Sequence, residues 1–573
     1  MSEKKIYGFA LIFSFILSII ILRGFIFNSG FAQYRDLIWP YHSEYWYKLG
    51  RYVWDEYLQQ QTQIQQKIVY FWLSFFPPDF SERLIYVIIF TLMGISSFSL
   101  AYKITKSKFT SLLTSLYFVF SPLVVYRIQH RLLLLSYALT PFLFLICHDT
   151  LSRVQFLKNK TLLKRAIITS FLLAFMSTSP HWIIFSAFLL FYIWITNFKL
   201  SRSYFIRSFA FFVLILLGYS GFSAYWILPY LLYSPTPPYV HTEETVFILS
   251  RNSELLNTLR MHSYWWPADL FSNPPIPTFV WLLATFLIPI LAFLPVTFRH
   301  KNYRLIVLTA LLAVILIFLG KGTNHPLGNF YTWLAFKSPM APSVGWLFRD
   351  PYKWIFLLSF VYAFLIGIFA LGIFRKIWET KRKVLHYISP VIFVILLLIP
   401  LLNAYPLLTG DLNGKIRPYN IPDDYAQLNT WLDGQSAEFK VASYPCPPPW
   451  QFPKPTISYD FYWNYLINVL LANRTNKLGE LLKPWNVKYI IIRTQIFKSE
   501  TESQKILSLF EKSDKIINSL QTQKDIKFVG RIRSLYIFEN LAYINRSLTS
   551  SQILGIFGGL NNCLLYTSPS PRD

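Results

Sequence analysis

Residues Tyr7–Phe27 read YGFALIFSFILSIIILRGFIF, an apolar run in which Arg23 is the single charge. The run matches the roughly 20 residues needed to cross a bilayer's hydrocarbon core. It is too long for a signal-peptide core and is followed by no small-residue cleavage site, so it reads as a retained membrane helix. Comparable runs recur at Leu84–Tyr102, Leu112–Tyr126, Leu132–Cys147, Ala166–Met176, Trp182–Trp194 and Phe209–Leu228. Four more follow at Phe279–Val296, Leu305–Leu319, Trp354–Phe374 and Val384–Leu402. The pattern predicts about eleven spans, some of them short.

Composition agrees. Hydrophobic residues make up 54 % of the 573, aromatic residues 19 % and charged residues only 14 %, and mean hydropathy is +0.38. Soluble domains hold roughly 45–50 % apolar residues, so the chain reads as a polytopic membrane protein. Its net charge of +26 is concentrated in alternate loops: KITKSK, SRVQFLKNKTLLKR, NFKLSRSYFIR, FRHKNYR and FRKIWETKRK. Basic loops stay on the cytoplasmic side. The expectation is therefore a multi-pass plasma-membrane protein with its N-terminus, MSEKK, in the cytoplasm and its C-terminal region outside. The charge excess reflects topology and a basic ectodomain, and nucleic acid is not an expected partner.

Residues 1–405 are expected to form the membrane domain, with a long first external loop at 28–83. Within that loop PYHSEYWYKLGRYVWDEY has the composition of an interfacial helix. KIVYFWLSFFPP is too short to span and is expected to be re-entrant or interfacial, stopped by Pro77 and Pro78. Further sizeable external loops are expected at Tyr230 to about Thr278 and at Lys321–Lys353. Residues 406–562 are expected to form an extracytoplasmic α/β domain. Its helices are predicted near Asp423–Leu432, Tyr459–Leu471 and Glu500–Phe510, and its strands at Phe439–Tyr444, Val487–Arg493, Ile526–Val529 and Leu535–Glu539. The closing CLLYTSPSPRD, 563–573, reads as an in-frame translation of a sequencing-library adapter, with the native chain truncated before it.

Several chemistries lack their motif. GKGT at Gly320–Thr323 is without the upstream glycine of a phosphate-cradling loop, and there is no HExxH. Cys147, Cys446 and Cys563 offer no disulfide framework or thiolate metal site. Asn473-Arg-Thr and Asn545-Arg-Ser are sequons of the short kind that arise by chance. Charged residues instead gather at the outer mouth of the bundle: Arg35, Asp36, Glu44, Arg51, Asp55 and Glu56, then Arg127 and Arg131, with His181 in STSPHW and Arg349, Asp350 and Lys353 in FRDPYKW. Ionisable groups near membrane depth are functional suspects. Asp350 before Pro351 is the pattern of a helix cap. Arg349 and Lys353 flank that cap, placed to reach a phosphate.

A first span, an acidic external loop, many further spans and a C-terminal α/β ectodomain together resemble the GT-C class of membrane glycosyltransferases. RDLIWPYHSEYWYKLGRYVWDEYLQQQTQIQQKIVYFW, from Arg35 to Trp72, is similar to the opening of the α-(1→3)-arabinofuranosyltransferase family. The likeness rests on Asp36-Leu37, Pro40, Trp54-Asp55 and the Gln-rich Gln59–Gln66. FRDPYKW and LLKPWNVKYIII, Leu481–Ile492, resemble later segments of the same family. The resemblance implies transfer of a sugar, with a pentofuranose as one candidate, from a polyprenyl-phosphate donor to an extracytoplasmic glycan or glycolipid acceptor, among membrane lipids. Asp36 is then expected to be the catalytic base beside Arg35. Arg349 and Lys353 bind the donor phosphate, and Asp55 and His181 position the acceptor. No cofactor is required by this reading. A Trp-Trp-Asp-Tyr-Gly signature and an Asp-x-Asp pair are both missing, which leaves a divalent metal open and assigns no metal ligand. The competing expectation is a non-catalytic lipid or glycolipid transporter, or an assembly factor. A transporter should carry charges near mid-membrane, whereas here they collect at one face.

Overall fold

The computed structural model describes residues 3–32, 54–55, 60–61, 64–177, 180–233, 242–265, 271–297, 303–379, 383–435, 439–445, 452–454, 456–457, 461–495 and 509–544. They fall into two compact units, a helical one of Met1–Ala32 and Gln61–Pro418 and a second of Gln33–Gln60 and Tyr419–Asp573.

All eleven apolar runs lie on helices. Among the described residues eight helical segments are long and apolar enough to cross a membrane: Glu3–Ile26, Pro78–Thr105, Lys108–Tyr126, Arg131–Ser152, Arg202–Tyr225, Thr278–Thr297, Tyr303–Gly320 and Pro351–Glu379. His181–Asn197 and Tyr387–Asn403 are shorter apolar helices. The remaining run, Ala166–Met176, is the second half of an Asn159–Met176 helix, whose first half carries Lys160, Lys164 and Arg165. Pro77 and Pro78 do more than stop the Ile64–Leu73 helix. Pro77 takes the cap position of the next helix and Pro78 its first turn, where a missing backbone N–H costs nothing.

The helices differ in what they face. The span that ends at Glu379 is buried along almost its whole length, packed on the Lys108–Val119, Tyr303–Gly320 and Thr278–Phe293 helices. Close approach is set by small residues: a Cβ on Gly367 would collide with Thr114 Oγ1, and one on Gly94 would collide with Ser14. The Arg202–Tyr225 segment is mostly uncovered and shows Phe205, Phe209, Leu216 and Leu217 outward. That apolar outer face is suited to lipid.

The second unit is built on a five-stranded mixed sheet. Its order is Thr456–Ile457, Lys440–Tyr444, Val487–Arg493, Leu535–Asn540, Ile526–Ile532. The first three strands run parallel and the last two form an antiparallel hairpin against them. VKYIIIR occupies the centre, since a near-continuous β-branched run can be buried on both faces. Trp463, Leu466 and Leu470 from the Phe461–Leu471 helix pack with Ile516 and Leu520 on Ile490, Ile492 and Phe538. The predicted helices at Asp423–Leu432 and Tyr459–Leu471 and all four predicted strands are found within a few residues. Most of the predicted Glu500–Phe510 helix lies outside the described residues. The Ser513–Gln521 helix and the Thr456–Ile457 strand were not predicted.

Candidate functional site

FRDPYKW supplies the centre of the site. A 3-10 turn over Gly345–Phe348 leads to Arg349 and Asp350, and a second over Pro351–Trp354 feeds the Ile355–Glu379 helix. Asp350 holds the cap position but makes no side-chain cap bond. Its carboxylate turns instead to a partner 223 residues away in sequence: Arg127 Nη2 donates to Asp350 Oδ2 at 2.7 Å. The expectation that Asp350 caps the helix is corrected by this contact. Both kinds of bond are charge-assisted, but in a buried setting only the guanidinium brings the opposite charge that the carboxylate needs. The two side chains are 6 % and 11 % exposed, respectively, so neither charge could be buried there without the other. Burial pushes the Asp350 carboxyl up, but Arg127, Lys353 and His181 together hold it below the ordinary aspartate value.

Arg127 follows the short Pro122–Tyr126 helix and is fixed on its flat faces as well. Its guanidinium carbon lies 4.9 Å from the Tyr264 ring centre and 5.5 Å from that of Tyr352, a cation–π setting. Behind it the Tyr126 hydroxyl donates to His262 Nδ1 at 3.3 Å, and His262 Nε2 donates to Asn403 Oδ1 at 3.1 Å. Burial, with Arg260 nearby, pushes the His262 ring down to about 3. Lys415 Nζ donates to the carbonyls of Val125 and Tyr126 at 2.9 and 3.2 Å. These contacts lock the RIQHR turn.

On the other side Lys353 Nζ donates to a ring nitrogen of His181 at 3.2 Å, and His181 stands edge-on to Trp346. Lys353 also lies close enough to Asp350 to bias its charge, and Arg349 to bias that of Lys353. Among the described residues Arg127, Lys353 and Arg349 are thus brought together around Asp350 at one end of the bundle. His181, predicted from sequence, joins Lys353 directly, and Arg349 is its half-buried neighbour.

Arg35 and Asp36 lie outside the described residues. Asp55 stands in a two-residue strand, Trp54–Asp55, and its side chain is outside the description. The departure of the first loop is described as far as Ala32. Its amide donates to Glu82 Oε2 at 3.0 Å, and Glu82, fully buried, has Arg131 Nη1 at 3.6 Å. Arg83 Nη2 donates to the carbonyls of Asn28 and Gly30 at 2.6 and 3.0 Å, and its Nη1 to Asp79 at 2.8 Å. Sequence reasoning assigned Glu82 no part and gave Arg127 no partner. The available signal was RIQHR itself, a polar break between two apolar runs. Among the described residues no group of three His, Cys, Asp or Glu side chains could hold a metal.

No family model and no curated protein matches the sequence. Solved structures do. The chain superposes on the mycobacterial arabinofuranosyltransferase AftD with a TM-score of 0.61 at 13 % identity, covering 95 % of this chain and 40 % of that one. The R1389S mutant of the same enzyme gives 0.58 at 12 % identity, covering 96 % and 42 %. The Archaeoglobus fulgidus oligosaccharyltransferase tethered to an acceptor peptide gives 0.44 at 13 % identity, covering 94 % and 74 %. This chain spans about two fifths of the length of the AftD chain it matches.

Proposed function

We propose, for a chain whose fold is that of the GT-C membrane glycosyltransferases, that it transfers a sugar from a polyprenyl-phosphate donor to an extracytoplasmic glycan or glycolipid. The observation that carries the proposal is the cationic set around Asp350. Among the described residues Arg127, Arg349 and Lys353 are the cations gathered about that carboxylate at one end of an apolar bundle, and such a set attracts a ligand of opposite charge. A lipid phosphate supplies that opposite charge, and its polyprenyl tail is soluble between apolar helices. The comparison with AftD supports a glycosyl-transfer fold, and the arabinofuranose in that enzyme's name makes a pentofuranose the first sugar to try.

In this reading the acceptor hydroxyl attacks the anomeric carbon of the donor sugar. The glycosidic bond forms as the bond to the phosphate oxygen breaks, and Asp36 takes the hydroxyl proton. Arg349 and Lys353 stabilise the charge that builds on the leaving polyprenyl phosphate. Arg127 holds Asp350, and through it the FRDPYKW turn, in place. Asp55 and His181 position the acceptor, His181 through its bond to Lys353. The protein works in the plasma membrane with its N-terminus in the cytoplasm and its C-terminal unit outside.

The test is transfer by purified full-length protein from a panel of radiolabelled polyprenyl-phosphate sugars to membrane glycolipid acceptors. Label appearing in the acceptor, with no added nucleotide, supports the reading. No transfer from any donor, together with movement of a fluorescent glycolipid across proteoliposome bilayers, would replace the enzyme with a transporter.

A further inference from the structure

The bundle has a second charged end. Arg131 and Asp149 lie on the same Arg131–Ser152 helix, 18 residues apart, which at 1.5 Å per residue places Asp149 roughly 27 Å from the Arg131 end. The Pro78–Thr105 helix likewise carries Glu82 near one terminus and Lys103 near the other. Four of the basic loops read in the sequence meet here. Lys103 opens KITKSK, Arg153 lies in SRVQFLKNKTLLKR, Asn197 opens NFKLSRSYFIR and Arg304 closes FRHKNYR. A cavity of about 460 Å³ opens between them, lined among others by Lys103, His148, Asp149, Arg153, Asn197 and Arg304.

Topology alone accounts for cations at a helix end, but not for how these are held. Asp149 is the only acid among the described lining residues. Its shortest ion pair, at 2.9 Å, is with Arg165, which does not line the cavity, so the lining cations are not needed to neutralise it. Lys103 reaches Asp149 at 3.3 Å, and Arg153 stands at 3.6 Å, beyond hydrogen-bond range. An ammonium carries three N–H donors and a guanidinium five, so both residues keep donors over.

The remaining lining groups are fixed in place. Arg304 donates from Nη1 to the Phe198 carbonyl at 3.1 Å and from Nη2 to that of Ile195 at 2.8 Å, which holds its guanidinium and leaves further N–H groups. Asn197 Nδ2 donates to the Ile193 carbonyl at 2.8 Å and to His148 Nδ1 at 3.0 Å. An accepting Nδ1 places the ring proton on Nε2, a further donor.

From this gathering of donors on one cavity we infer a binding site for the phosphate group of an anionic ester, held between Lys103, Arg153 and Arg304. Charge-assisted bonds from Lys and Arg are the strong contacts available to phosphate oxygens. The volume lies in the range of small-ligand sites and exceeds what a bare phosphate fills. Apart from Ile104 and Leu305 the described lining is polar, so the rest of the ester is small and polar, as in a glycerol phosphate. A glycerophospholipid headgroup and a soluble glycerol phosphate both present that chemistry. The inference stands apart from the enzymatic reading, because none of these residues belongs to the Asp350 site.

The test is native mass spectrometry of the full chain released from detergent, with phosphatidylglycerol, phosphatidylcholine, glycerol 3-phosphate or inorganic phosphate added in separate samples. Phosphatidylglycerol or glycerol 3-phosphate should be retained one-to-one, and which of the two is retained identifies a lipid or a soluble source. Replacing Lys103 and Arg153 together by Gln should lower that retention by about tenfold or more. Arg165 still pairs Asp149 in this variant, and circular dichroism verifies the fold. Arg153 is 60 % exposed, so Arg153→Gln alone is tolerated and should already weaken retention, whereas Arg153→Lys should keep most of it. Arg375→Gln, which removes an exposed cation paired to Glu379, is the control and should leave retention unchanged. The assignment is overturned if neither ester is retained better than phosphatidylcholine and inorganic phosphate. Undiminished retention in the Gln variants, or an equal loss in the Arg375 control, would overturn it as well.

Discussion

The two ends of the helical unit carry charge in different ways. At the Asp350 end one carboxylate meets one guanidinium at 2.7 Å, both almost wholly buried and the guanidinium flanked by aromatic rings. At the Asp149 end one carboxylate, 17 % exposed, is shared among Lys103, Arg153 and Arg165, which are 36 %, 60 % and 27 % exposed. Water screens the second arrangement and not the first. A buried ion pair contributes little net stability, so its presence at one end points to a requirement for position. The exposed network is a reservoir of positive charge that no single residue controls.

The largest difference should appear when one partner is removed. Asp350→Ala leaves Arg127 buried and unpaired, and thermal unfolding in detergent should show a loss of about 3–5 kcal/mol. Asp149→Ala should cost under about 1 kcal/mol by the same measurement. Replacing Arg127 by Met and Asp350 by Leu together should restore most of the stability but not sugar transfer. If the double variant transfers sugar normally, the pair is structural filler and the contrast between the ends collapses.

A smaller effect is expected at the neighbouring cations. Lys353→Gln and Arg349→Ala should each raise the KM for the lipid-linked donor more than that for the acceptor. Arg349→Lys should recover only part of the loss, because an ammonium lacks the planar fork of a guanidinium. Unchanged donor dependence in both variants would confine these residues to anchoring the helix.

A further effect concerns pH. His262 and His130 are both buried and held down to about 3, against about 6.5 for histidine in an unfolded chain. Between those values the unfolded chain binds more protons, so stability falls as pH drops. The contribution is complete above about pH 6.5 and is lost progressively toward pH 3. Unfolding temperature should therefore decline through this window, and His262→Gln should flatten the decline. An unaltered slope would mean that His262 does not stay neutral in the fold.

How much of this was legible in the sequence follows from range. Val487–Arg493 could be read to the residue, because a β-branched run buried on both faces leaves a local signature. Asp423–Asp433 was legible from its helical spacing and the apolar helices from the length of their runs. The Asn159–Met176 helix blurred the span count by joining an apolar half to a basic one. Lys353 and His181 were legible as ionisable groups beside apolar runs, but not their bond across 172 residues. Asp350 was misread because Asp-Pro is a local cap pattern, and the competing partner, Arg127, lies 223 residues away. Glu82 was invisible for a similar reason. An acid in the N-terminal part of a helix is ordinary, and only the fold brings Ala32 and Arg131 to it.

The central claim is sugar transfer from a lipid phosphate with Asp36 as the base, and Asp36→Asn tests it most directly. The substitution keeps size and polarity but cannot accept the proton. Purified wild-type and variant proteins are compared for transfer of labelled sugar from the polyprenyl-phosphate donor, with donor binding measured alongside. The account predicts unchanged donor binding and a rate lower by on the order of 100- to 10,000-fold. A well-folded Asp36→Asn protein that transfers sugar at the parental rate would contradict it.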